Sequence, residues 1–189
     1  MPDLSQAVAV LASRGVHAIT FCGVDTNGAW LPLHERAGTD IVLIEQDGPA
    51  DAVRSGLLDH SFPLRRLDHL ATVTPDLKAK RLFRADVLGV ALSGEISTQA
   101  MVVRQLRIGD AVLELLGPAS QDSPIWKRPP GLASMVSWEV GNLDAVVGQA
   151  RTAGFTVSDS TIGPLPGTRI ATIQGNELAG VNMQLLQYV

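Results

Sequence analysis

Two side chains in the middle of the chain have types that could do chemistry together. His69 sits in Leu67-Asp68-His69-Leu70-Ala71-Thr72-Val73, and Glu114 sits in Ala111-Val112-Leu113-Glu114-Leu115-Leu116. Both segments read as strands. An imidazole can ligate a divalent ion or move a proton near neutral pH. A carboxylate inside an apolar strand is costly to bury alone, so a metal, an imidazole or a bound ligand is expected beside it. A nitrogen donor and an anionic oxygen suit Zn, Ni, Co, Mn or Fe. The same pair could instead work as a general base and its partner. The plain alternative is a core histidine satisfied by hydrogen bonds and a glutamate on the outer face of a sheet.

The elements around these residues form a unit. Leu67 to Thr74 is a strand that Pro75 stops. Asp76 caps a helix in which Leu82, Phe83 and Val87 turn inward, with Leu77, Lys80, Arg81 and Arg84 on or near the exposed face, and Gly89 ends it. Strands are expected at 91–96, 100–106 and 111–116, with a tight turn at Gly109-Asp110. The unit is βαβββ.

The pattern occurs three times. Asp3-Leu4-Ser5-Gln6-Ala7-Val8 aligns with Asn142-Leu143-Asp144-Ala145-Val146-Val147 without a gap as far as Gly15 and Gly154. After a short slip, Glu35-Arg36-Ala37-Gly38-Thr39-Asp40 matches Glu177-Leu178-Ala179-Gly180-Val181-Asn182. Such self-similarity marks a repeated supersecondary unit. Leu4, Ala7, Val8 and Leu11 give one apolar stripe, and Leu143, Val146, Val147 and Ala150 give its counterpart. Strands are expected at 17–24, 29–33 and 41–46 in the first copy. In the last copy they are expected at 133–140, 156–158, 169–174 and 181–188. Asn27-Gly28 reads as a hairpin turn.

Residues 1–46 are therefore an incomplete unit lacking its first strand, 47–65 a linker, and 66–189 a two-unit domain with units 66–117 and 131–189. An open sheet edge and an uncovered helix stripe need a partner, which predicts a homodimer.

Composition narrows the function. Hydrophobic residues make up 46% of the 189 and charged residues 18%, enough apolar material for a well-formed core. The net charge is −4 and no basic stripe occurs, which argues against nucleic acid. No apolar run reaches the ~18 residues of a membrane span, and the start of the chain lacks a signal peptide's features. A cytoplasmic protein is expected. Cys22, the single cysteine, is expected to be a buried, inert thiol. His17, His34 and His60 have no ligand-like spacing. Arg65, Arg66, Lys78, Lys80, Arg81 and Arg84 read as solvated charge, with a patch for an anionic group such as a coenzyme A phosphate as the alternative. No nucleophile elbow, phosphate loop or dinucleotide fingerprint is present.

The runs Leu67-Asp68-His69-Leu70-Ala71-Thr72-Val73-Thr74-Pro75-Asp76-Leu77, Phe83-Arg84-Ala85-Asp86-Val87-Leu88-Gly89 and Leu113-Glu114-Leu115-Leu116 resemble the vicinal oxygen chelate superfamily. That group includes glyoxalase I, methylmalonyl-CoA epimerase, extradiol dioxygenases and bleomycin-binding proteins. The resemblance implies an α+β fold whose βαβββ units build a cup-shaped mixed sheet. It also implies one metal ligand on the opening strand and one on the closing strand of each unit. In the middle unit these are His69 and Glu114. In the last unit the opening position holds Met135, in Met135-Val136-Ser137-Trp138-Glu139-Val140, and the closing position holds Gln184. In the first unit the closing position is Val42. An amide oxygen serves a hard ion, whereas a thioether is a poor ligand for these metals, so Met135 is expected to line the pocket with Ser137. Extradiol chemistry, which needs two histidines and a carboxylate, lacks its second histidine.

Two functions compete on this reading. One is a metal-assisted lyase, isomerase or epimerase acting on a small carbonyl compound, with Glu114 moving the proton, and His69, Glu114 and Gln184 around a divalent metal. The other is a metal-free small-molecule-binding protein of the bleomycin-resistance type.

Overall fold

The computed structural model describes residues 3–23, 27–31, 41–45, 62–128, 133–178 and 180–189, without the side chains of 80–84, 133 and 134. Its strands are β1 (Ile19–Cys22), β2 (Asn27–Leu31), β3 (Ile41–Ile44), β4 (Leu64–Val73), β5 (Leu92–Ser97), β6 (Met101–Ile108), β7 (Ala111–Pro118), β8 (Ala133–Val140), β9 (Thr161–Ile162), β10 (Thr168–Ile173) and β11 (Asn182–Tyr188). Its α-helices are α1 (Leu4–Ser13), α2 (Leu77–Leu82), which continues as a π turn over Phe83–Val87, and α3 (Leu143–Thr152). β1-β2-β3 form one sheet, and a mixed sheet runs β5-β6-β7-β4-β8-β11-β10-β9. This is the α+β architecture with a large mixed sheet that the sequence implies. The chain divides into two compact units, one of residues 1–52, 73–106 and 115–132, the other of 53–72, 107–114 and 133–189.

In the unit of 133–189 and its companion segments, β8 pairs with β11 in parallel and with β4 antiparallel. β10 pairs antiparallel with both β11 and β9. The predicted stripe of α3 is the core: Leu143, Val146, Val147 and Ala150 are buried with Val140, Val157, Ala171, Ile173 and Leu185. Asn142 caps α3 by accepting from the Ala145 N–H at 3.1 Å. The segment expected as a strand at 156–158 supplies only a bridge, Val157 to Ile173, and the edge strand forms later, at Thr161–Ile162. The side chain of Ser158 takes the Thr172 N–H at 2.9 Å, in the place of a backbone carbonyl of this segment.

In the other unit, Leu11 of α1 is buried with Val16 and Leu31, and Val87 and Leu88 pack against them. Asp3 caps α1 through the Gln6 N–H at 2.6 Å. Asp76 likewise accepts from the Ala79 N–H at 2.8 Å, the cap expected for α2. Gly109, at φ 59° and in the 107–114 segment of the unit of 133–189, makes the turn between β6 and β7 as expected. Asn27 and Gly28, in contrast, are not the turn. They belong to β2, opposite Cys22 and Phe21, where a Cβ on Gly28 would overlap the Phe21 ring. Cys22 is exposed rather than buried: among the described residues β1 pairs only with β2, and all four residues of β1 are exposed. Val24, Pro32, Leu33, Gln46, His34 and His60 lie outside the described residues.

Candidate functional site

Four of the expected residues meet at one place in the unit containing β8 and β11, three of them in a row. His69 on β4 lies opposite Ser137 on β8, and Ser137 lies opposite Gln184 on β11. The pairing sets the three side chains in a row across adjacent strands, where cross-strand neighbours touch. Ser137 Oγ is 2.7 Å from His69 Nε2 and 3.0 Å from Gln184 Oε1. Glu114 Oε2 is 3.8 Å from the same His69 nitrogen. All four side chains are buried, Ser137 completely.

Ser137, expected as pocket lining, is thus the hub of the row. Met135 is not part of it: it is half-buried, opposite Ala71 on β4 and Asn182 on β11, two residues from Ser137 along β8.

The other side of His69 is held by a residue the sequence reading overlooked. Asp68 Oδ1 is 2.8 Å from His69 Nδ1. Strand alternation puts neighbouring side chains on opposite faces, but β4 breaks alternation here. Leu67 pairs with Trp138 and His69 with Ser137, so Asp68 is the extra residue of a β-bulge. The bulge lets Asp68 and His69 both be buried. The Asp68 carboxylate also accepts from Tyr188 Oη at 2.8 Å and from Arg66 Nη2 at 3.2 Å. Arg66, read from sequence as solvated charge, further donates through Nε to Glu139 at 2.7 Å. Tyr188 carried a signal in the sequence: it is the only tyrosine, and by alternation it shares a strand face with Gln184.

Burial alone would push the Asp68 carboxyl up. Hydrogen bonds from His69 and Tyr188, aided by the charges of His69 and Arg66, hold it below the ordinary carboxylate range instead. Tyr188 moves the other way. Burial, and then its bond to Asp68, push its hydroxyl up to about 12. Burial also works against the Arg66 guanidinium, but Glu139 and Asp68 outweigh it and keep the group firmly charged.

The donors gathered here are an imidazole nitrogen, a carboxylate oxygen and an amide oxygen, a set that fits a borderline or hard divalent ion. No group of three or more His, Cys, Asp or Glu able to hold an ion occurs among the described residues, so the amide oxygen of Gln184 is needed as a third donor. An apolar cavity of about 240 Å³ lies in the other unit, lined by Val73, Thr74, Pro75, Pro118, Ile125, Trp126 and Arg128. It includes none of the residues expected from sequence.

Comparison with known proteins follows the same line. A sequence-family model described as the glyoxalase/bleomycin resistance protein/dioxygenase superfamily matches residues 68–172. Mitochondrial methylmalonyl-CoA epimerase of Mus musculus is 30% identical over 133 residues, covering 67% of this chain and 75% of the mouse protein. The crystal structure of methylmalonyl-CoA epimerase from Mycobacterium tuberculosis superposes with a TM-score of 0.60 at 24% identity, over 69% of this chain and 92% of that one. A Streptomyces coelicolor methylmalonyl-CoA epimerase variant in complex with 2-nitronate-propionyl-CoA gives 0.58 at 24% identity, over 67% of this chain and 96% of that one. At such identities the structural matches speak for the fold. No helix among the described residues is long and apolar enough to cross a membrane.

Proposed function

Since this chain belongs to the glyoxalase/bleomycin resistance protein/dioxygenase superfamily and is a glyoxalase-like vicinal oxygen chelate protein, we propose that it is a metal-assisted epimerase acting on an acyl-CoA thioester of the methylmalonyl type. The observation that carries this reading is the buried Glu114 carboxylate 3.8 Å from His69 Nε2. A divalent ion (Zn, Ni, Co, Mn or Fe) held by His69, Glu114 and Gln184 would supply Lewis-acid polarisation of the thioester carbonyl. Glu114 carries the proton. The C–H bond between the two carbonyls breaks, its electron pair stays on carbon and spreads onto the carbonyl oxygen, and the proton rests on the Glu114 carboxylate. A proton delivered by water to the opposite face of the flattened carbon inverts the centre, and Glu114 returns the proton it took to solvent. His69 anchors the site, and Ser137 donates to Gln184 Oε1 from the neighbouring strand and so holds the amide in place.

The test is exchange of the C2 proton of methylmalonyl-CoA in deuterated water, followed by mass spectrometry, on protein loaded in turn with each of the five metals. The wild type should wash in deuterium, and Glu114→Gln should slow this about 10²–10⁴-fold. Equal exchange by the variant would remove Glu114 from the mechanism. The rival reading, a metal-free binding protein, rests on the Ser137 hydroxyl sitting 2.7 Å from the nitrogen a metal would need. Tight thioester binding with no exchange under any metal would favour it.

We also propose that the protein works as a homodimer through its first unit. The support is apolar. Ile19, Trp30 and Val42 lie side by side across β1, β2 and β3, with Phe21 and Ile44 in the next row, and all five are exposed. The domain division into 1–46, 47–65 and 66–189 is part of the same proposal.

A further inference from the structure

We propose that Asp68 is the positioning residue of this site. It fixes His69 as the tautomer protonated on Nδ1 and thereby turns the bare Nε2 toward Ser137 and Glu114. An ionised carboxylate only accepts hydrogen bonds, so the nitrogen 2.8 Å from Asp68 Oδ1 carries the proton. In an uncharged ring the other nitrogen is then an acceptor. Nε2 faces Ser137 Oγ at 2.7 Å and Glu114 Oε2 at 3.8 Å, on the side away from Asp68. Ser137 Oγ donates to Gln184 Oε1 at 3.0 Å, and this one proton turns to His69 Nε2 at 2.7 Å when the ring is uncharged and Nε2 is bare. It can therefore give up the imidazole and donate to Gln184 when a ligand takes Nε2, leaving no buried hydroxyl unsatisfied.

Asp68 is itself held. Tyr188 Oη donates to Oδ2 at 2.8 Å and Arg66 Nη2 reaches the same oxygen at 3.2 Å. Arg66 is anchored in turn by Glu139 and by the Asp110 carbonyl at 2.9 Å. The orienting shell thus comes from four segments, β4, β8, β11 and the β6–β7 turn. The bulge at Asp68 is what makes it possible, because a regular strand would send this carboxylate to the opposite face. Metal-bound histidines commonly donate their second ring N–H to a carboxylate, and loss of that partner commonly weakens metal binding about 10–100-fold.

The metal side of this inference rests on the function proposed above, whereas the tautomer does not. The test is a long-range proton–nitrogen correlation spectrum of ¹⁵N-histidine-labelled full-length protein with the ring uncharged. In the wild type the His69 signals should report Nδ1–H and a bare Nε2. Asp68→Asn, close to isosteric, should shift the ring toward Nε2–H and weaken Zn or Co binding in a chelator competition about 10–100-fold. Tyr188→Phe should leave the tautomer in place and weaken binding less, a second readout if Asp68→Asn folds poorly. A wild-type ring protonated on Nε2, or an Asp68→Asn ring unchanged from the wild type, overturns the proposal. A wild type with the expected tautomer that binds no metal overturns the metal-assisted function and leaves the role of Asp68 standing.

Discussion

Helix α1 of the first copy and helix α3 of the last are one device built twice, on sheets with opposite surfaces. Each helix has ten residues and an acceptor at its N-cap, Asp3 or Asn142. Each is followed by a glycine at positive φ, Gly15 or Gly154. Each has its first backbone N–H latched by the closing strand's side: Leu4 N–H to Glu45 Oε1 at 3.3 Å, and Leu143 N–H to Gln187 Oε1 at 3.0 Å. On the sheet the likeness ends. At the matched position of the closing strand, Val42 is 46% exposed, whereas Gln184 is 8% exposed and bonded to Ser137. The difference lies in the neighbouring strand. β11 has β8 beside it in parallel, carrying Ser137, and β8 has β4 beyond, carrying His69. Among the described residues β3 has only β2 as a partner. Helix, caps and latch therefore build the unit, and flanking strands decide whether its sheet can gather polar groups.

The largest expected effect is on assembly. Light scattering should give a dimer mass for the wild type and a monomer mass for Ile44→Glu, which charges the apolar face; a monomeric wild type would remove the dimer. The next is in the helix stripes. Leu143 is wholly buried, so Leu143→Ala should cost about 2–5 kcal/mol in urea unfolding. Leu4, at the equivalent place and only half-buried, should cost clearly less. Equal losses would mean that both copies are packed alike. The caps should then be equivalent, with Asn142→Ala and Asp3→Ala each costing about 1 kcal/mol.

The smallest effect is on pH dependence. In the folded protein the Tyr188 hydroxyl holds its proton up to about 12 rather than 10. Its contribution is therefore complete below pH 10 and lost as the pH climbs toward 12. Asp68 has the opposite sign. Its lowered pKa contributes above the ordinary carboxyl range and is lost in acid. Tyr188→Phe should flatten the alkaline limb of a stability–pH curve, and an unchanged limb would mean that the Tyr188–Asp68 bond does not persist in solution.

Much of this was written in residue order alone. Two helices with caps, stripes and terminal glycines are local events, governed by backbone donors and by 3.6-residue spacing, so Asp3, Asn142, Gly15 and Gly154 could be read directly. His69 and Glu114 stood out because a polar group in an apolar strand needs a reason, and Gln184 because its strand resembles the family's closing strand. Strand pairing decided the rest. Cys22 is exposed because nothing among the described residues covers either face of β1, which no local pattern records. Gly28 sits within a strand under the Phe21 ring, although Asn-Gly is a strong local turn signal. Ser137 became the hub of the site only when β8 was set between β4 and β11. Asp68 joined it only when a bulge, a mismatch in length between two paired strands, overrode the alternation that the chain by itself predicts.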